Sequence, residues 1–187
     1  MTDAFLITTI VTIVLAFAGY MAAYYNGLRL AQRNQRLERV NKQLGDLYGP
    51  LYGLLNSETA VFKVFRSVYR PGKHFFSEED PPSEEELVAW RLWMTTVFAP
   101  INNRMYELVL SKSDLLAETE LPPCLGDLCA HVVGYHLVLK KWENGDYSER
   151  MSLLPFPQEE LLQYVNDSYN ELKREQARLL GKGGVSN

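Results

Sequence analysis

The chain has 187 residues and a formal net charge of −4, a length that suits one packed domain together with an anchor. Through Lys42 five basic residues (Arg29, Arg33, Arg36, Arg39, Lys42) stand against two acidic ones (Asp3, Glu38), and the rest holds 14 basic and 21 acidic residues. An acidic body repels a phosphate backbone, which argues against nucleic acid as a partner. Cys124 and Cys129, the two cysteines, make no disulfide framework.

From Ala4 to Leu28 no residue is charged and most are apolar. At the rise of a helix these positions span roughly 37 Å, more than the hydrocarbon core of a bilayer. The threonines in the run can return their hydroxyls to the helix backbone. Tyr20, Tyr24 and Tyr25 gather at one end, where phenol rings favour the headgroup layer. A cleaved secretory leader calls for basic residues before a shorter apolar run, and here all the nearby basic charge follows it. Residues 1–28 are therefore expected to form a transmembrane anchor. The positive-inside rule places the N-terminus outside and everything after Arg29 in the cytoplasm, at the inner (plasma) membrane. Gly19, Ala23 and Gly27 recur every fourth residue, a spacing that lets another helix backbone approach closely.

Residues 29–49 continue as a helical stalk. Leu30, Leu37, Leu44 and Leu51 fall seven apart, with Val40, Leu47 and Leu54 at the companion position. Such a stripe serves either a short coiled coil or a helix packed on its own domain. Arg29, Arg33, Arg36, Arg39 and Lys42 carry the topology signal and are candidates for binding anionic lipid headgroups.

The region 50–181 reads as a helical domain. Gly49-Pro50 is expected to restart the helix, and Arg70-Pro71-Gly72 to end the next one. Ser83 and Glu86 have the spacing of a capping box, opening a helix in which Pro100 should produce a kink or a break. A further helix is expected after Pro122-Pro123 up to about Trp142, and a last one from Gln158 to Leu180, with Gly181 past its end. The tail 182–187 is expected to be disordered. No strand pattern or internal repeat occurs. The fold class is accordingly all-α, a transmembrane helix and stalk leading into a cytoplasmic bundle of four or five helices.

No phosphate loop, dinucleotide fingerprint, nucleophile elbow or HExxH pattern is present. On one helix Cys124 and His131 share a side, as do Cys129 and His136, but the two pairs diverge too far for one tetrahedral metal site. The acids from Glu78 to Glu86 read as a solvated loop and helix cap rather than a calcium site. Trp90 and Trp93, near Arg91 and Arg104, are the candidates for an amphipathic pocket. The run Leu47-Tyr48-Gly49-Pro50-Leu51-Tyr52 resembles bacterial membrane-anchored proteins without an assigned activity, and no function comes with that resemblance. The expectation is a membrane-anchored interaction module or accessory subunit, with no catalytic residues, metal or cofactor. Its partners are membrane lipid and either a membrane protein or a second copy, met through anchor and stalk. A membrane-tethered sensor with a ligand pocket is the alternative, and an enzyme is third.

Overall fold

The computed structural model describes residues 2–181. Every regular element among them is helical: α1 (Thr2–Lys42), a π turn (Gln43–Tyr48), α2 (Gly49–Tyr69), α3 (Glu84–Trp93), a second π turn (Met94–Phe98), α4 (Ala99–Ser111), one 3-10 turn (Ser113–Leu115), α5 (Pro123–Glu143) and α6 (Gln158–Leu179). The tail 182–187, expected to be disordered, lies outside the described residues. The chain forms two compact units. One holds the residues up to Asn41 and from Glu175 onward, and the other is Lys42–Arg174.

In the first unit, apolar side chains cover α1 without finding protein to pack on. Leu6, Ile7, Ile10, Val11, Ile13, Val14, Leu15 and Phe17 are each at least 50% exposed. Among the described residues one helix is long and apolar enough to cross a membrane, by length and composition, and this is it. Thr12 Oγ1 donates to the Thr8 carbonyl at 2.8 Å, so that hydroxyl is satisfied within the helix. Further along, two of the basic residues are tied to the end of α6. Arg33 Nε donates to the Leu179 carbonyl at 2.7 Å, and Arg36 pairs with Glu175. A cation on the last carbonyls of a helix also complements its dipole.

The second unit shows how the sequence accommodates its prolines. Within a continuous α-helix, Pro50 would drive its ring into the carbonyl of Asp46, and Pro100 into that of Thr96. A π turn precedes each proline instead. The Gly49 N–H reaches back five residues to the Leu44 carbonyl, and the Ala99 N–H to that of Met94. The expected restart and kink are thus both widened turns, and helical structure runs through them. Gly49 is required at its turn, because a Cβ there would collide with the Leu44 carbonyl oxygen. The heptad stripe ends in this unit: Leu47 and Leu51 are fully buried in its core.

The loop after α2 is held by Arg70, whose side chain is buried. Its Nη2 donates to the Asp80 carbonyl at 2.6 Å and pairs with Asp80 Oδ2 at 2.7 Å, while Nη1 donates to the Phe75 carbonyl at 3.3 Å. That clamp brings Phe75 into an aromatic cluster, 5.0 Å from the Phe65 ring and 5.5 Å from Trp90. The Ser83–Glu86 capping box forms as expected and starts α3. Pro122 and Pro123 open α5 in the one place where a missing N–H costs nothing.

Candidate functional site

The feature in the second unit with the most chemical content is a cavity of about 200 Å³. Helix α2 places Glu58, Thr59 and Phe62 on it at helical spacing, and α3 adds Trp90. The second π turn contributes Met94 and Phe98, and the following turn of α4 adds Asn102. His131 and Tyr135, one turn apart, come from α5. An irregular strap between α5 and α6 closes the last side with Met151, Ser152, Leu154 and Phe156.

Side-chain hydrogen bonds to backbone hold that strap. Trp142 Nε1 donates to the Glu149 carbonyl at 2.7 Å, and Trp90 Nε1 to the Arg150 carbonyl at 3.0 Å. Ser152 Oγ donates to the His131 carbonyl at 3.4 Å, and His131 Nδ1 meets the Leu154 carbonyl at 2.7 Å. A carbonyl oxygen can only accept, so Nδ1 carries the proton and Nε2 is left as an acceptor in the neutral ring. Burial holds the His131 imidazole below its usual range, with the Leu154 bond opposing, and this favours the neutral form. The strap lies close on α5 because residue 134 is glycine. A Cβ there would stand 2.5 Å from Ser152 Oγ.

Most of the lining is apolar and aromatic, and Glu58 interrupts it. This carboxyl is buried, with only 8% of the residue exposed, and its Oε2 has no hydrogen-bond partner. Burial pushes its pKa up to about 8, with the Asn102 side chain pulling partway back. Glu58 is therefore protonated at neutral pH. Asn102 is buried beside it, and its Oδ1 also lacks a partner. Among the described residues no lysine or arginine lines the cavity. Four buried polar residues (Glu58, Asn102, His131 and Ser152) thus converge on a space walled by aromatic rings, the composition of a small-molecule site.

Of the four residues read from sequence as a pocket, the structure places one on this cavity. Trp90 lines it. Trp93 packs behind it, 5.7 Å from the Phe65 ring. Arg91 lies along a separate groove, over the Tyr147 ring at 4.4 Å and paired with Glu84 at 2.6 Å. Arg104 is exposed and 3.5 Å from Glu107. The residues that sequence reasoning missed are Glu58, Asn102, His131 and Ser152. Glu58 did leave a signal: Leu51, Leu55, Phe62 and Phe65 mark the inward face of α2, and Glu58 occupies the place between them where an apolar side chain belongs.

The other sequence candidates lie elsewhere. Gly19, Ala23 and Gly27 are exposed on α1, and beside Gly19 and Gly27 there is open space. Arg29 and Arg39 are exposed, Arg33 and Arg36 hold α6, and Lys42 closes α1. Cys124 and Cys129 are unbridged, and burial raises both thiol pKa values. His136 Nε2 lies 2.7 Å from Asn103 Oδ1 rather than near His131's partners. Among the described residues no three His, Cys, Asp or Glu side chains are grouped to hold a metal ion. Comparison with protein-family models, curated proteins and solved structures finds no match to this chain, so its function is read from the site itself.

Proposed function

We propose that this chain is a single-pass protein of the inner (plasma) membrane whose helical body binds a small amphipathic molecule. In this role it serves a membrane protein complex as a sensing or accessory subunit. The N-terminal helix spans the bilayer with its start outside. The body lies in the cytoplasm as a bundle of four to five helices. The observation that carries the proposal is the cavity at Glu58, Asn102, His131 and Ser152. Buried polar groups are costly unless paired, so the two buried oxygens without a partner, Glu58 Oε2 and Asn102 Oδ1, favour a site shaped for a ligand over a chance packing defect. A reading as an interaction module alone is favoured by one observation, the uncovered face at Gly19, Ala23 and Gly27, which suits a second membrane helix.

Native mass spectrometry of the full chain, extracted in mild detergent, tests the ligand. A bound small molecule is expected in the wild type and is lost in Met151→Trp, which fills the exposed rim without disturbing the buried wall. A wild-type protein at its sequence mass alone, or an adduct that Met151→Trp leaves in place, would leave the interaction module as the better account.

A further inference from the structure

Both unpaired buried atoms at this cavity are oxygens. Neither Glu58 Oε2 nor Asn102 Oδ1 has a hydrogen-bond partner among the described residues, and once Glu58 is ionised both can only accept. No N–H reaches either oxygen, and among the described residues no lysine or arginine lines the cavity to bring positive charge. Six aromatic rings form much of the remaining wall: Phe62, Phe76, Trp90, Phe98, Tyr135 and Phe156. Rings attract cations through their faces, and a carboxylate inside such a wall attracts them more strongly. A bound anion would find no counter-charge in this lining, and a plain hydrocarbon would leave both oxygens unpaired.

Accordingly, we propose that the cavity takes a small organic ammonium ion, its N–H groups donating to Glu58 and Asn102 and its hydrocarbon part held among the aromatic rings. This rests on the cavity being a ligand site, as argued above. The volume of about 200 Å³ suits a compact amine of one ring or a short branched chain. Entry of the cation changes the protonation of Glu58. The empty site holds the carboxyl protonated at neutral pH, because its pKa is about 8. A bound ammonium stabilises the carboxylate, so the proton passes to solvent as the ligand enters. The other titratable groups on the cavity, both from α5, do not compete near neutrality. His131 is held neutral by its depressed pKa, and burial raises that of the Tyr135 phenol. Helices α3, α4 and α6 and the strap bring no charged side chain to the lining.

The test uses the full chain in detergent with benzylamine, and benzyl alcohol as its uncharged counterpart, by isothermal titration calorimetry in buffers of different ionisation enthalpy. Benzylamine is expected to bind at least about tenfold more tightly than benzyl alcohol, to release close to one proton at neutral pH, and to gain affinity as the pH rises toward about 8. Glu58→Gln should erase the preference and the proton release while leaving benzyl alcohol binding in place. Equal binding of the two probes, without proton release, overturns the cation and leaves the cavity a ligand site. Heat from neither overturns both. If Glu58→Gln fails to fold, proton release by the wild-type protein still decides the matter.

Discussion

Gly134 and Ser152 pass so closely that a Cβ on the glycine would stand 2.5 Å from the serine Oγ. This is where the strap over the cavity rests on α5, and it gives the site a point that can be pushed. Gly134→Ala adds the offending methyl group, and overpacking of this kind costs about 1–3 kcal/mol, against about 1 kcal/mol gained in helix propensity. Thermal melts should show net destabilisation. The loss should shrink in a Ser152→Ala background, where the clashing oxygen is gone. Equal losses in both backgrounds would mean that the strap does not bear on residue 134.

Glu58 should make stability depend on pH. Its folded pKa of about 8 lies above the ordinary value of 4.5, so between those limits the folded state binds more protons than the unfolded one. Stability from this group is full below about pH 4.5, falls as pH rises, and is gone above about pH 8. His131 acts in the opposite direction, but only below its ordinary value of 6.5. Between about pH 7 and about pH 8 the wild type should therefore lose up to about 1.4 kcal/mol per unit, and Glu58→Gln should not. Denaturant unfolding at the two pH values measures this. Parallel behaviour of the two proteins would place Glu58 in water.

Arg70 clamps the loop that delivers Phe75 and Phe76 to the aromatic cluster. Arg70→Met keeps the bulk of the stem and removes the donors, leaving the Asp80 and Phe75 carbonyls without that partner. A loss of about 2–3 kcal/mol is expected, with faster proteolysis between Pro71 and Pro82. Unchanged cleavage in that loop would show that the clamp does not hold it.

The folding elements were legible where chemistry is local. The apolar run, the Ser83–Glu86 box and the turn at Arg70–Gly72 each announce themselves within a few residues. The cavity was not, because Glu58, Asn102, His131 and Ser152 come from four separate segments and no spacing links them. Trp90 is singled out in the sequence by its size, whereas Arg91 and Arg104 are joined to it only by proximity along the helix, which says nothing about inward direction. Two further signs are readable in the sequence. Glu58 breaks an otherwise apolar inward face, and Gly134 sits inside a helix where only close approach of another segment explains it. The π turns were unreadable as such, since Gly49-Pro50 and Ala99-Pro100 announce only that an ordinary helix must yield there.

Membrane orientation has its own test. Because Arg29, Arg33, Arg36, Arg39 and Lys42 all follow the apolar run, a reporter fused after Asn187 should be cytoplasmic. Bright fluorescent-protein fusions with inactive alkaline phosphatase fusions are the expected pair. The reverse pair would invert the topology.

Methyl NMR of the methionines tests the ligand site most directly, because the side chains are distributed as built-in controls. Met94 and Met151 line the cavity, Met105 is buried outside it, and Met21 belongs to the apolar helix. With ¹³C-methyl labelling of the full chain in detergent, titration with benzylamine or benzyl alcohol should move the Met94 and Met151 resonances and leave Met105 and Met21 in place. Saturating probe that leaves Met94 and Met151 unmoved, or that shifts all four alike, would contradict a ligand site at Glu58.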